Sequence, residues 1–166
     1  MLRNAGSYDI IMVDAYQDIT IPFQMSSVEF FTMVRDHLNP GGVMVVNMNM
    51  KTDTEGGIND YLIDTIASVF PEVDTVLVSN NTNQELFASE NENIVEDLTA
   101  RVSALRDSDP LKSQLKRVLE GLRKEEGGSR ILTDDKAPVE LLGMQALDAL
   151  IRDTLDSYGG VMGLIG

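Results

Sequence analysis

Two short apolar runs limit what this chain can fold into. They are "DIIMV" (9–13), apolar throughout after its leading aspartate, and "VMVV" (43–46). A strand with one wet face alternates polar and apolar residues. An unbroken apolar run is the pattern of a strand covered on both faces, as in a parallel sheet flanked by helices. Between the two runs lies "SSVEFFTMVRDHLNPGG". Ser26 and Glu29 have capping-box spacing, and Met25 and Phe30 stand where a hydrophobic staple places them. Phe30, Phe31, Val34 and Leu38 then share one helical face. Asn39-Pro40-Gly41-Gly42 stops the helix and turns the chain. The segment reads as a complete strand–helix–strand unit with a right-handed crossover.

Further along, Ile58, Leu62, Ile66, Val69 and Phe70 form the stripe of a second helix, with Pro71 just past its end. "VDTVLVS" (73–79) and "QELFAS" (84–89) are two more strands, and the turn-rich residues between them predict an antiparallel hairpin. From about residue 91 the pattern predicts helices only. Ile94, Leu98, Val102 and Leu105 make one stripe. Asp109 caps a second helix with Pro110 at its first position, and Gly127-Gly128 is expected to end it. "RILTDDKAPVE" reads as a loop, and a last helix is expected over 139–155. The expected fold class is therefore α/β. The division is an α/β unit at 1–92 and a helical region at 93–166 that packs on it.

The 166 residues hold 27 acidic and 13 basic side chains, a net charge of −14. Such a field repels phosphate backbones and argues against nucleic acid, while cationic small molecules are attracted. Solubility alone would also account for it. The absence of cysteine excludes disulfides, thiolate metal sites and cysteine nucleophiles. The single histidine, His37, cannot build a multi-histidine metal site, and its place at a helix end suits a favourable dipole interaction. No metal site is expected. No apolar stretch is long enough to span a bilayer, and "MLRNAGSYD" lacks a signal-peptide core, so no membrane association and a cytoplasmic location are expected.

Ligands of open parallel sheets bind beyond the carboxyl ends of the strands. Asp14 directly follows the first strand and Asn47 the second, so neighbouring strands would set the two side by side. A carboxylate there could hold a cationic amine or take its proton during attack on an electrophile. Equally, Asp14 could cap a turn. Tyr16 and Gln24 could line the same crevice or simply pack. Asp134-Asp135 reads more readily as a turn or helix cap than as a ligand pair.

"YDIIMVDAYQDITIPFQMSSVEFFTMVRDHLNPGGVMVVN" resembles the second half of the spermidine synthase-like (polyamine aminopropyltransferase) domain, and "LTDDKAPVE" (132–140) resembles the C-terminal signature of the same group. The resemblance covers roughly residues 1–90 and 131–142. It implies a class I methyltransferase-like (Rossmann-like) fold, here a partial doubly wound sheet with a C-terminal hairpin. It also implies transfer of an aminopropyl group from decarboxylated S-adenosylmethionine, as co-substrate rather than intrinsic cofactor, to a polyamine acceptor such as putrescine. Asp14 aligns with the family's proposed base. The family's second aspartate is matched only by Asp18, one residue late, since position 17 is Gln; Asp18 is thus a possible amine anchor, with Tyr16, Gln24 and Asn47 lining the crevice. The family's glycine-rich donor loop has no counterpart here. The expectation is an incomplete member, its Met1 equivalent to an internal methionine, inactive alone and exposing the edge of strand 9–13. Self-association through that edge, or its coverage by C-terminal helices, is expected. Two other readings stay open: a methyltransferase-fold protein with another substrate, and a non-catalytic remnant or interaction module.

Overall fold

Strand β1 (Tyr8–Val13) runs parallel to β2 (Leu38–Asn49), as the paired apolar runs predict. The computed structural model describes residues 6–14, 21–49, 55–78 and 83–135; the expected helix over 139–155 lies outside them. Helix α1 (Val28–Arg35) makes the crossover, and α2 (Ile58–Ala67) leads into the antiparallel pair β3 (Glu72–Leu77) and β4 (Asn83–Ser89). Helices α3 (Ile94–Ala104) and α4 (Pro110–Gly121) follow, then a two-residue strand β5 (Arg123–Lys124). The sheet order is β1-β2-β4-β3-β5, with β4 antiparallel to both β2 and β3.

The period-2 geometry of strands divides the sheet into two faces. On one face Val13, Met44, Val46, Leu86 and Ala88 are buried against Phe31 and Val34 of α1 and Leu62 and Ile66 of α2. This is the main core. On the other face Val43 and Phe87 lie under Ile94 and Leu98 of α3, Val118 of α4 and Leu122 just past it, around a hollow of about 120 Å³ whose polar lining residues are Glu72, Asp74 and Ser89.

Four local expectations are corrected. The first strand is not buried on both faces: Ile10 is 63% and Met12 72% exposed. It lies at the edge of the sheet, and α3 and α4 cover the β3–β4 side of that face. The cap of α1 is Ser27, not Ser26. Ser27 Oγ accepts from the Phe30 backbone N–H at 3.2 Å and donates to Asp134, while Glu29 accepts instead from the Asp134 N–H at 3.1 Å. The helix ends at Asp36, before Asn39-Pro40-Gly41-Gly42. Those four residues form an irregularity inside β2, between the pairs Tyr8↔Leu38 and Ile10↔Val43, with Gly41 at φ +77°. Lastly, α4 ends at Gly121 rather than Gly127-Gly128, and the region beyond residue 91 is not purely helical. Leu122 is extended and β5 pairs with the open edge of β3, where Lys124 meets Glu72 at 2.7 Å and Thr75 Oγ1 donates to Glu125 at 2.6 Å.

The segment 128–134 straps the two core helices together. Asp64 of α2, only 3% exposed, accepts from the backbone N–H groups of Gly128 and Arg130 at 3.1 and 3.0 Å and from Arg130 Nε at 2.8 Å. The Arg130 fork also reaches Asp60 at 2.6 Å. Leu132 then enters the core. Its N–H donates to Thr65 Oγ1 and its carbonyl accepts from the Val28 N–H at the start of α1. Burial alone would raise the Asp64 carboxyl, but the hydrogen bonds and charge of Arg130, with the Gly128 N–H, outweigh it and hold the group below its ordinary value.

A Cβ on Gly128 would stand 2.5 Å from Asp64 Oδ2, against a carboxylate that these donors hold in place. Gly128→Ala is expected to destabilise the fold by about 1–3 kcal/mol, the usual cost of overpacking, seen as a lowered denaturant midpoint at unchanged m-value. A stable variant with the natural midpoint would show that the strap yields freely.

Asp74 generates a pH prediction. It is 6% exposed on β3, and burial followed by the charge of Glu72 pushes its carboxyl up to about 6, with Lys124 acting the other way. The folded state therefore binds this proton more tightly than the unfolded chain does. Its contribution to stability is full below the ordinary aspartate range and is lost as pH rises through about 6. Denaturation midpoints should fall between about pH 4 and 7, and Asp74→Asn should flatten that slope by roughly 1–3 kcal/mol. An unchanged slope in the variant would assign the pH dependence elsewhere.

Candidate active site

The parallel register Val13↔Val46 fixes where the strands end. One residue later, Asp14 leaves β1 and Asn47 continues β2, on the same face of the sheet as Ile10, Met12 and Val45. Asn47 Nδ2 donates to Asp14 Oδ1 at 3.1 Å. The same amide is oriented from behind, because Asn83 Nδ2 of β4 donates to Asn47 Oδ1 at 2.6 Å. An amide accepting through its oxygen presents its nitrogen forward, so the relay Asn83–Asn47 keeps a donor aimed at Asp14. Asp14 itself is exposed. Among the described residues its Oδ2 takes part in no hydrogen bond.

A second carboxylate belongs to this place. Glu85 is the cross-strand partner of Asn47 in the β2–β4 register. Directly paired residues share a face, so Glu85 stands beside the Asn47 amide and near Asp14. Burial first, and the charge of Asp14 second, raise the Glu85 carboxyl above its ordinary value. Beyond Glu85 a groove of about 550 Å³ runs between the sheet and α4, with Val76, Val78, Phe87 and Val118 along it and Gln114 and Arg117 on its helical wall.

The structure thus brings together two of the residues expected from the sequence, Asp14 and Asn47. Gln24 sits exposed on a one-turn 3-10 helix (Phe23–Met25) and makes no hydrogen bond to Asp14, Asn47, Asn83 or Glu85. Tyr16 and Asp18 lie outside the described residues. Asp134 supports the α1 cap, and His37 Nδ1 lies 2.8 Å from the Met33 carbonyl at the end of the same helix. Asn83 and Glu85 were not singled out by sequence reasoning. Their alternation with Phe87 in "NQELF" marks them as sharing a face, but only the pairing register brings them to Asn47. Among the described residues no cluster of three or more metal-ligating side chains occurs. Nor is any described helix long and apolar enough to cross a membrane.

Chemically, an exposed carboxylate held by an amide, with a second carboxylate alongside and an apolar groove leading away, suits an aliphatic amine. The pair can hold an ammonium group, and a carboxylate within hydrogen-bond reach of it can accept a proton.

No family profile matches the chain. A "Probable polyamine aminopropyl transferase" of Bifidobacterium longum (strain NCC 2705) is 52% identical over 172 residues, covering 93% of this chain and 38% of that protein. The chain therefore spans well under half the length of the curated relative it matches. Among solved structures, a spermidine synthase in complex with the transition state analogue AdoDATO superposes with a TM-score of 0.50 at 18% identity, over 72% of this chain and 40% of that one. A probable spermidine synthase from Corynebacterium glutamicum ATCC 13032 gives a TM-score of 0.43 at 17% identity, over 77% and 51% of the two chains. The superposition with the AdoDATO complex shows the methyltransferase-like α/β fold.

Proposed function

Because this chain belongs by sequence with the polyamine aminopropyl transferases, we propose that it forms the acceptor side of an aminopropyl-transfer site. The donor is decarboxylated S-adenosylmethionine and the acceptor a polyamine such as putrescine. The amine nitrogen attacks the propyl carbon attached to the sulfonium, the carbon–sulfur bond breaks, and the thioether departs with the electron pair. Asp14 takes the proton that the attacking nitrogen gives up. Asn47, itself oriented by Asn83, holds Asp14 in place. Tyr16, Asp18 and Gln24 complete the proposed acceptor wall, with Asp18 as amine anchor. In this reading residues 1–92 supply the α/β part of the site, residues 93–166 pack on it, and the protein works in the cytoplasm.

The observation that carries the reading is the position of Asp14. It is exposed just past the carboxyl end of a parallel strand and hydrogen-bonded to Asn47 of the next strand, within a chain 52% identical to a probable polyamine aminopropyl transferase. Bulk electrostatics support it, since a net charge of −14 favours cationic substrates.

In a donor-competent preparation, Asp14→Asn should lower turnover by roughly 10²–10⁴-fold, the worth of general base catalysis, with little change in the melting curve. Full activity in that variant would reduce Asp14 to a turn residue.

One observation favours a second reading alongside the first. The outer edge of β1 is unpaired among the described strands, and Ile10 and Met12 stand exposed beside it. An open apolar edge is a template for association. On this reading the β1 edge is a contact surface, either for a second copy or for further chain that completes the sheet. Sedimentation should show concentration-dependent association that the double change Ile10→Lys and Met12→Lys weakens at least tenfold. A monomer at high concentration with fast amide exchange along 9–13 would rule the contact out.

A further inference from the structure

The reaction assigned to Asp14 leaves a neighbouring carboxylate unused. We infer that Glu85 is the second carboxylate of the acceptor site: together with Asp14 it grips a primary ammonium group on a short aliphatic chain, and that chain lies in the groove between β3, β4 and α4. The inference rests on the reading of Asp14 as the carboxylate that faces the amine.

Register is the first support. Val13 pairs with Val46 and Asn47 with Glu85, so Asp14, Asn47 and Glu85 come from three adjacent strands at one end of one face. The second support is charge. Two of the buried acids elsewhere in the fold carry their own cation: Glu72 has Lys124 at 2.7 Å and Asp64 has Arg130 at 2.8 Å, whereas buried Asp74 forms no ion pair among the described residues. Asp14 and Glu85 have none, for neither forms an ion pair among the described residues. Neighbouring carboxylates repel one another, and a cation placed between them removes that cost. The raised Glu85 carboxyl, pushed up by burial and then by Asp14, is consistent with an unneutralised pair.

Shape supplies the third support. Glu85 opens onto the groove of about 550 Å³, and Val76 and Phe87 flank it on the same sheet face. Methylene groups leaving an ammonium at Glu85 would meet this apolar floor, and burial of each is favourable. Among the groove's lining residues Arg117 of α4 is the one cation, and it makes no ion pair with Glu85.

The division of labour follows from exposure. Asp14 stands exposed at the mouth, where a reacting nitrogen can reach it. Glu85 is half-buried on the strand and acts by holding the amine. Its removal should therefore weaken acceptor binding and leave the chemical step nearly intact.

Calorimetric titration of putrescine and of n-butylamine into the purified chain tests this without donor or turnover. Glu85→Gln is expected to weaken both amines about tenfold or more, as the loss of a charge-assisted hydrogen bond should. 1-Butanol should show no such difference. Glu92→Gln, at an exposed acid before α3, makes the same change in net charge and should leave affinity unaltered. A melting curve no lower than that of the natural chain would show that Glu85→Gln is folded. In a donor-competent preparation Glu85→Gln should raise KM for the amine with kcat within about twofold, unlike Asp14→Asn. The inference is overturned if the natural chain binds neither amine, if Glu85→Gln binds them unchanged, if Glu92→Gln weakens them equally, or if Glu85→Gln lowers kcat at constant KM. If transfer survives Asp14→Asn while Glu85→Gln still loses amine affinity, the Asp14 reading fails and Glu85 remains an amine-holding residue.

Discussion

Everything else in this fold hangs on the satisfaction of one buried carboxylate. Asp64 stands inside the layer of α2 at 3% exposure, where an unpaired charge would cost several kcal/mol. Three N–H donors from residues 128 and 130 remove that penalty. They also place Leu132 in the core, and through it and Asp134 they fix the start of α1. The two helices that bury the main face of the sheet are thus held relative to each other by a segment about seventy residues further along the chain. The arrangement contributes register and orientation more than raw stability, since the desolvation of Asp64 offsets much of the gain.

That rigidity matters at the opposite end of the strands. Asp14 is positioned by β1, Asn47 by β2, and Asn83 and Glu85 by β4. The three strands keep their relative height because Met44, Val46, Leu86 and Ala88 are locked against α1 and α2. A one-residue slip of β4 would move Glu85 to the core face and Leu86 to the groove. Core packing on one face thereby sets the spacing of the carboxylates on the other.

Much of this was legible in the sequence, and the part that was not has physical reasons. The parallel β1–β2 pair, the β3–β4 hairpin, the α4 cap at Asp109-Pro110 and the nearness of Asp14 to Asn47 all follow from local signals: apolar runs, turn residues, a cap and the ends of neighbouring strands. The cap of α1 moved to Ser27 because Asp134, more than a hundred residues away, hydrogen-bonds that hydroxyl. The strand β5 has two residues and so no periodicity to detect; it exists because β3 offers an open edge. Exposure of Ile10 and Met12 could not be read from "DIIMV", since an apolar run records what a strand can tolerate on each face and is silent on which neighbours cover it. Glu85 was hidden for a similar reason. Its significance depends on the alignment of β4 against β2, a pairing across α2 and β3 that residue type alone does not encode.

The distance along the chain between Asp64 and its donors carries a consequence for biosynthesis. Residues 8–67 can emerge, pair β1 with β2 and lay both helices on them, but Asp64 then has no partner from the strap. At elongation rates of about 5–20 residues per second, several seconds pass before Gly128 and Arg130 leave the ribosome. During that interval α2 must keep its carboxylate in water, which holds the helix off its final seat and leaves Leu62 and Ile66 incompletely covered. The nascent chain is thus a loose sheet-and-helix assembly until residues 128–134 arrive to close the core built on residues 8–67.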